Sequence, residues 1–218
     1  MNKIVVIIVI IVLGHIGYNF FNKDSENKNL NEKSILICYG DSLTAGYGAP
    51  IGKSYPDYLQ SKLKLKVINK GVSGDTTISA LERFKVDVLD YNPDVVIVEL
   101  GANDLIQGVD LSKTKNNLNY IVDELINRKI RVYIVKFYGD QLIFNILKNN
   151  SKKEFDKFFK ELEDKNDVYL IKDIWKGIWG KHMSDSIHPD EIGYEKMGKI
   201  YLKELRPIMK KNRLIIGE

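Results

Sequence analysis

Short apolar runs alternate along the chain with longer segments in which apolar residues recur every three or four positions. A short apolar run bounded by glycine or polar residues is typical of a buried strand, and the longer pattern is typical of an amphipathic helix. Strands that alternate with helices form a parallel sheet with helices on both faces. The pattern predicts strands beginning at residues 35, 66, 95, 130 and 168, and helices over 54–65, 76–90, 112–128, 140–165 and 190–209.

These elements predict an α/β fold, a single flavodoxin-like three-layer domain whose five-stranded parallel sheet has the strand order 2-1-3-4-5. In that order, the loops that follow the first three strands meet at the point where the strand order reverses. Open sheets of this kind bind ligands beyond the carboxyl ends of their strands. We therefore expect the functional residues in those loops.

The first 33 residues differ in character from the rest. Residues 4–13 are uninterrupted apolar residues, and a less uniform apolar stretch continues to residue 21. This pattern predicts an N-terminal apolar helix within a signal-anchor or signal peptide over residues 1–22. Because Lys3 precedes the stretch, we expect the amino terminus to stay inside and the domain to be exported to a periplasmic or extracellular location. The domain would be anchored to a membrane or secreted after cleavage.

The remaining boundaries follow from composition. Residues 23–33 are polar and predict a flexible linker. The folded domain is predicted over residues 34–210, and residues 211–218 are expected to form a C-terminal tail.

Composition excludes several classes of function. The 218 residues carry a formal net charge of +4 without an arginine-rich stripe, so nucleic acid is not an expected partner. One cysteine excludes an internal disulfide, and the three histidines and this cysteine lack metal-ligand spacing. We therefore expect no metal and no cofactor.

The first predicted strand ends in Gly40, Asp41 and Ser42. Glycine permits a sharp turn, and Asp and Ser are residue types that begin helices, so a helical turn is predicted here. Ser42 would then stand at the carboxyl end of a central strand, with its backbone N–H among the free donors of a helix start. Ser42 could be only a helix cap, so a nucleophilic role depends on a base that faces it.

Three histidines are available as that base: His15, His182 and His188. His15 falls in the N-terminal apolar stretch, and His182 lies in a Gly/Lys loop without a similarly placed carboxylate, so we expect it to be solvated. His188 follows Asp185 by three residues and precedes Pro189, which restricts its backbone and suits the first turn of a helix. Asp185 can accept a hydrogen bond from Nδ1 of His188 and leave Nε2 to take a serine proton. The alternative is an ordinary surface histidine at a helix start.

Acyl transfer also requires donors aimed at an oxyanion. Three candidates follow predicted strands: the Ser42 N–H, the Gly74 N–H and the side-chain amide of Asn103. Taken singly, Gly74 could be only a turn glycine and Asn103 only a turn residue. Their placement after three consecutive strands favours an oxyanion hole.

Four segments carry a resemblance to a known family. They read Gly-Asp-Ser-Leu at 40–43, Val-Ser-Gly-Asp-Thr at 72–76, Gly-Ala-Asn-Asp at 101–104 and Asp-Ser-Ile-His-Pro at 185–189. In order and spacing they resemble the four sequence blocks of the SGNH (GDSL) esterase/lipase superfamily. The residues in these four segments are most similar to those of the thioesterase I/lysophospholipase branch.

The resemblance implies roles for five residues. Ser42 would be the nucleophile, Gly74 and Asn103 would join the Ser42 N–H in the oxyanion hole, and Asp185 and His188 would complete the triad. Two departures from the branch are visible: Ser186 replaces a glycine, and residues 137–147 replace a proline-containing loop. The second departure leaves acyl-chain selectivity open.

Residues and resemblance together predict a serine esterase that hydrolyses acyl esters or thioesters, lysophospholipase-like or arylesterase-like, through an acyl-enzyme on Ser42. A carbohydrate O-acetylesterase or acyltransferase acting on envelope glycans is the alternative. A non-catalytic binding module on the same scaffold is a third possibility, against which the intact set of Ser42, Asp185 and His188 argues. The expected partners are a small acyl-ester or lysophospholipid-like substrate and a membrane, contacted through the N-terminal segment.

Overall fold

The sheet has five parallel strands, as the hydrophobic pattern predicts. A computed structural model describes residues 29–138 and 149–218 of the chain. The strand order is β2-β1-β3-β4-β5, and every neighbouring pair is parallel. This confirms the α/β fold and the predicted strand order. The strands are β1 (Ile35–Gly40), β2 (Lys66–Gly71), β3 (Val95–Glu99), β4 (Arg131–Val135) and β5 (Val168–Ile171).

The helices begin and end within a few residues of their predicted bounds. The predicted helix over 76–90 ends earlier and continues as a short 3₁₀ turn, Leu89–Tyr91. Residues 139–148, where the predicted helix over 140–165 begins, lie outside the described residues. The helices are α1 (Ser42–Ala45), α2 (Tyr55–Lys62), α3 (Thr77–Asp87), α4 (Ala102–Ile106), α5 (Leu111–Asn127), α6 (Asn149–Glu163) and α7 (Glu191–Lys211).

The three-layer arrangement is visible in the central strand. Leu36 and Cys38 of β1 face a core shared with α2 and α7, whereas Ile37 and Tyr39 face a core shared with α3, α5 and α6. Alternate residues of a strand point to opposite faces, so a strand buried on both sides reads as a continuous apolar run. Cys38 is fully buried, and burial raises the pKa of its thiol, which therefore stays neutral.

The folded domain extends beyond the predicted bounds of 34–210. Leu30 is buried in the same core as Leu214 and Ile215. The end of the chain also pairs with the end of α2, because the Lys64 N–H donates to the Leu214 carbonyl at 2.9 Å and Ile215 forms an antiparallel bridge to Leu63. Leu214 and Ile215 are therefore packed in the domain, whereas residues 216–218 are exposed, and the apolar run that begins at residue 214 was the available signal.

The predicted apolar helix of residues 1–22 lies outside the described residues. No helix within residues 29–138 and 149–218 is both long and apolar enough to cross a membrane.

Two glycines set the position of α1 on the sheet. Gly40 of β1 lies beside Gly71 of β2 in register. A Cβ added at Gly40 would meet the hydroxyl of Thr44 at 2.1 Å, and one added at Gly71 would meet the Ala45 nitrogen at 2.1 Å. Because neither strand end carries a side chain, the short helix that begins at Ser42 packs directly on the sheet.

Candidate active site

Ser42 is the first residue of α1, at the carboxyl end of the central strand β1. Asp41 caps the helix, and its Oδ1 accepts a hydrogen bond from the Leu43 N–H at 3.0 Å. The N–H groups of Ser42 and Gly74 form no hydrogen bond within the described residues. Both are therefore available to an acceptor that binds beside the Ser42 hydroxyl.

The structure brings Ser42, His188 and Asp185 together. Nε2 of His188 lies 2.9 Å from Oγ of Ser42, and Nδ1 of the same ring lies 2.8 Å from Oδ2 of Asp185. Asp185 is acceptor-only when ionised, so its partner Nδ1 carries a proton and Nε2 is left to accept one from the serine. This is the arrangement of a serine nucleophile, its general base and the carboxylate that orients the base.

Asp185 is partly exposed to solvent and is ionised at neutral pH. Its Oδ1 accepts hydrogen bonds from the Ile187 N–H and the His188 N–H, both at 2.8 Å. The hydrogen bond from the Ile187 N–H, followed by that from the His188 ring, lowers the pKa of Asp185 to about 2. The departure at Ser186 leaves this local geometry intact.

The loop that carries His188 is held on two sides. The His188 carbonyl accepts a hydrogen bond from the Ser184 N–H at 2.9 Å. On the other side, the ring of Tyr47 lies 4.6 Å from the imidazole, measured between ring centroids. Tyr47 is itself fixed through its carbonyl, which accepts from the hydroxyl of the buried Tyr194 at 2.8 Å. As a result, the His188 side chain is only 12% exposed.

His182 lies near a carboxylate that the sequence analysis did not anticipate. A carboxylate does stand near it, since Nδ1 of His182 is 4.0 Å from Oδ2 of Asp190, and its side chain is largely covered. The 4.0 Å separation is longer than a hydrogen bond, so Asp190 does not orient this ring as Asp185 orients His188, and the His182 side chain is 25% exposed. The contact was missed because Asp190 caps α7 and the chain turns back there, with the Asp190 N–H donating to the His182 carbonyl at 3.1 Å.

Asn103 joins the loops that follow β1, β2 and β3. Its Nδ2 donates to Oδ2 of Asp41 at 3.2 Å and to the carbonyl of Asp75 at 3.0 Å. Asp41 precedes Ser42 and Asp75 follows Gly74, so the three predicted oxyanion donors converge on one place. The two contacts also hold the amide from two sides. An oxyanion would accept from one of the two Nδ2 hydrogens of Asn103 and share it with the present acceptor.

The helix that carries Asn103 is fixed by the next residue. Asp104 is fully buried, and its Oδ2 accepts from the Thr77 N–H at 2.8 Å, at the first residue of α3. Its Oδ1 accepts from the Thr114 hydroxyl at 3.1 Å. One carboxylate therefore ties α4 to both α3 and α5.

Arg83 is a second positioning residue that the sequence analysis overlooked. From α3 its guanidinium donates to Asp75 Oδ2 at 2.6 Å, and to the carbonyls of Gly40 and Lys70 at 3.0 Å each. It therefore joins the ends of β1 and β2 to the loop that contains Gly74. The available signal was the spacing of eight residues between Asp75 and Arg83, which is about two helical turns.

Glu99 is the other residue that was overlooked. It is fully buried at the end of β3, and its Oε2 accepts from the Thr44 hydroxyl at 3.1 Å. The signal was a single charged residue inside the apolar run at 95–100. Buried, it lies directly under the turn that carries Ser42.

Trp175 and Trp179, near the end of the sheet, serve packing. Trp175 is buried in the core, and its Nε1 donates to the carbonyl of Phe137 at 3.1 Å. Trp179 packs edge-on against it, with ring centroids 5.3 Å apart.

Comparison with known proteins agrees with this geometry. The sequence profile of the GDSL-like lipase/acylhydrolase family matches residues 38–196, which include both Ser42 and His188. The chain belongs to this family. It is a serine hydrolase of the SGNH type that acts on ester bonds.

Named relatives are similar along most of the chain. An arylesterase of Vibrio mimicus is 30% identical over 181 residues, covering 78% of this chain and 87% of the relative. A thioesterase 1/protease 1/lysophospholipase L1 of Escherichia coli K12 is 29% identical over 187 residues, covering 80% and 84%. Among solved structures, the SGNH-hydrolase family esterase AlinE4 is 31% identical with a TM-score of 0.61, covering 84% of this chain and 98% of that one.

We expect His188→Ala to lower kcat as much as Ser42→Ala does, by about 10⁴–10⁶, because either change removes a member of the catalytic triad. His182→Ala is the matched control, and we expect it to be nearly silent. Steady-state hydrolysis of a chromogenic ester, with circular dichroism to verify folding, measures all three. Severe loss in His182→Ala alone would contradict the assignment of the base.

We expect Asn103→Ala to lower kcat by about 10²–10³ with a smaller change in KM, because an oxyanion donor acts mainly in the transition state. Kinetics with the same ester separate the two parameters. A raised KM at unchanged kcat would make Asn103 a ground-state contact instead.

Proposed function

We propose that this protein hydrolyses acyl esters or thioesters of modest size through an acyl-enzyme on Ser42. The observation that carries the proposal is the 2.9 Å contact between Oγ of Ser42 and Nε2 of His188. A serine cap needs no base at that distance, and a binding module needs no oriented imidazole. The arylesterase and thioesterase names of the relatives support the same class of substrate.

The first half of the reaction uses the catalytic triad and the three oxyanion donors. Oγ of Ser42 attacks the carbonyl carbon while Nε2 of His188 takes the hydroxyl proton, and Asp185 stabilises the imidazolium that forms. The oxyanion of the tetrahedral intermediate is stabilised by the N–H groups of Ser42 and Gly74 and by Nδ2 of Asn103. The intermediate collapses, and the leaving alcohol or thiol receives the proton from Nε2.

The second half returns the enzyme to its starting state. Water attacks the acyl carbon after His188 has accepted its proton, the same donors stabilise the second oxyanion, and the acid leaves as Ser42 regains its proton. Because His188 is both base and acid within one turnover, its ring must stay oriented throughout. The short contact to Asp185 and the packing of Tyr47 meet that requirement.

Exposed apolar side chains beside the catalytic loops support an apolar acyl or aryl group. Tyr47 packs on the catalytic imidazole, Val72 lies two residues before Gly74, and Ile106 follows Asn103 by one helical turn. Ile187 lies directly before His188. All four are exposed large apolar residues, which a substrate can cover and which otherwise cost free energy in water.

A series of 4-nitrophenyl esters from acetate to palmitate, together with an acyl thioester, tests the proposal. We expect hydrolysis of the short and medium chains with a burst of nitrophenol equal to the enzyme concentration where deacylation is slow. Ser42→Ala is the control for background hydrolysis. An acetylated glycan assayed in parallel is the competing substrate, and turnover of that glycan without turnover of the simple esters would overturn the proposal.

We further propose that residues 4–21 anchor the protein in a membrane with its catalytic domain exported. The support is the sequence: an apolar stretch behind Lys3, without an evident cleavage site.

Fractionation of intact cells tests the location with an antibody against the carboxyl terminus. We expect a full-length species that resists carbonate extraction and whose domain is cleaved by protease from outside the cytoplasmic membrane. A soluble exported species about 20 residues shorter would instead indicate a cleaved signal peptide. A domain that is protected on the cytoplasmic side would contradict export altogether.

A further inference from the structure

Two carboxyl groups lie buried behind the nucleophile, and the mechanism above uses neither. Asp41 directly precedes Ser42, and Glu99 ends the neighbouring strand β3, in register with Gly40. Both are buried, and the Thr44 hydroxyl that donates to Glu99 lies one helical turn after Asp41. Two carboxyl groups this close cannot both be ionised in a dry environment at low cost.

The hydrogen bonds of the two groups are unequal. Both oxygens of Asp41 accept from N–H donors, Oδ1 from Leu43 and Oδ2 from the Asn103 amide. Glu99 has one hydroxyl donor on Oε2, and its buried Oε1 receives no hydrogen bond from any described residue. A carboxylate oxygen without a donor is costly in the interior, whereas a protonated Oε1 would itself be a donor, with the Asp41 carboxylate as its acceptor.

The electrostatic environment favours the same arrangement. Burial, followed by the charge of Asp41, raises the pKa of Glu99 well above its ordinary value of 4.5. Burial also raises the pKa of Asp41, to about 6, while the Leu43 N–H and the His188 ring act to lower it. In both groups burial opposes the charged form, and a second negative charge beside the first would be opposed further.

We propose that Asp41 and Glu99 share a single proton carried on Oε1 of Glu99, so that Asp41 remains an acceptor-only carboxylate that fixes the orientation of the Asn103 amide. The inference rests on the proposed function only in the role that it gives to Asn103. Asp41 and Glu99 are then positioning residues, since neither touches the reacting atoms.

The position of the proton decides whether Asp41 supports the amide orientation that the Asp75 carbonyl, which can only accept, already favours. An ionised Asp41 can only accept, so Asn103 must present Nδ2 to it and to the oxyanion beside it. A proton on Oδ2 of Asp41 would remove one of the two acceptors of the Asn103 amide, so that the Asp75 carbonyl alone would hold Nδ2 towards the oxyanion. A second negative charge on Glu99 would oppose the oxyanion as well.

The other groups that face the pair do not replace this proton. Asp75 lies on the side of Asp41 and raises its pKa, but Arg83 compensates the charge of Asp75 through a contact of 2.6 Å. On the side of Glu99 stand buried phenols, whose own pKa values are raised and which stay neutral; they are Tyr55, Tyr194 and Tyr201.

Infrared spectroscopy can detect the proton without any substrate. At neutral pH we expect the wild-type protein to show the carbonyl stretch of a protonated, buried carboxyl group, shifted by ¹³C-labelling of glutamate and absent from Glu99→Gln. The exposed Glu82→Gln is the matched control and should leave the band unchanged. Absence of the band from the wild type, or its persistence in Glu99→Gln, would overturn the proposal.

The pH dependence of stability gives a second, independent measurement. The folded protein holds a proton on Glu99 that the unfolded chain releases above pH 4.5, so folding is favoured less as pH rises beyond that value. Relative to Glu99→Gln, the unfolding equilibrium constant of the wild type should therefore rise by about tenfold per pH unit from pH 4.5 up to the raised pKa of Glu99 in the folded protein. Parallel pH profiles for the two proteins would contradict a raised pKa at Glu99.

A double-mutant cycle tests the positioning role itself. Asp41→Asn keeps an oxygen to cap α1 but loses the acceptor-only carboxylate, and we expect kcat to fall by about tenfold to a hundredfold with a smaller change in KM. In an Asn103→Ala background the same change should cost little, because the amide it orients is gone. The exposed Asp90→Asn is the matched control.

If Asp41→Asn lowered kcat by the same factor in the wild type and in Asn103→Ala, the positioning role of Asp41 would be overturned. The infrared and stability measurements need no substrate, so they test the shared proton even if Ser42 proves not to be a nucleophile. Failure of the shared proton and failure of the proposed function are thus distinguishable.

Discussion

The site depends on the close approach of the short helix α1 to the carboxyl ends of β1 and β2. The absence of side chains at Gly40 and Gly71 lets the turn that begins at Ser42 rest directly on the sheet. A methyl group at either position would push the nucleophile away from an imidazole held on a separate loop, and the 2.9 Å contact with His188 tolerates little displacement. The same approach places Thr44 over Glu99 and so encloses a carboxyl group in the core. The nucleophile and the buried acid are therefore two consequences of one packing constraint.

The loops around Ser42 are joined to one another by polar contacts rather than by apolar packing. Arg83 connects the ends of two strands to the loop of Gly74, and Asn103 connects that loop to Asp41. A guanidinium has five donors in a fixed planar fork, so Arg83 holds its acceptors in one geometry more rigidly than the ammonium group of a lysine would. Such contacts position donors at the angles an oxyanion requires, and they leave the surface open for a substrate.

The sequence predicts the parts of the structure that depend on local pattern. Five strands, their order and the pairing of His188 with Asp185 follow from apolar runs, glycine positions and a spacing of three residues. Contacts between distant segments could not be predicted in the same way. Arg83 lies on a helix face where a charged residue is ordinary, and Asp190 approaches His182 only because the chain reverses. The C-terminal residues were misjudged because their apolar run is shorter than a helix or a strand, yet two of its residues, Leu214 and Ile215, are buried in the core.

The protein keeps its carboxyl groups in two opposite environments, and this division assigns their roles. Asp185 is partly exposed and is ionised because backbone N–H groups stabilise its charge, which allows it to support a positive charge on His188 during each turnover. Asp41 and Glu99 are buried, and the loss of solvent around each group outweighs its hydrogen bonds and raises its pKa. A buried negative charge responds little to solvent, so it is suited to holding an amide in one orientation and unsuited to following a proton in transit. If both acids behind Ser42 were ionised, the negative charge nearest the oxyanion would double, and the donors of the hole would first have to compensate it. One proton held between two carboxyl groups is the smallest change that avoids this cost while leaving an acceptor for Asn103.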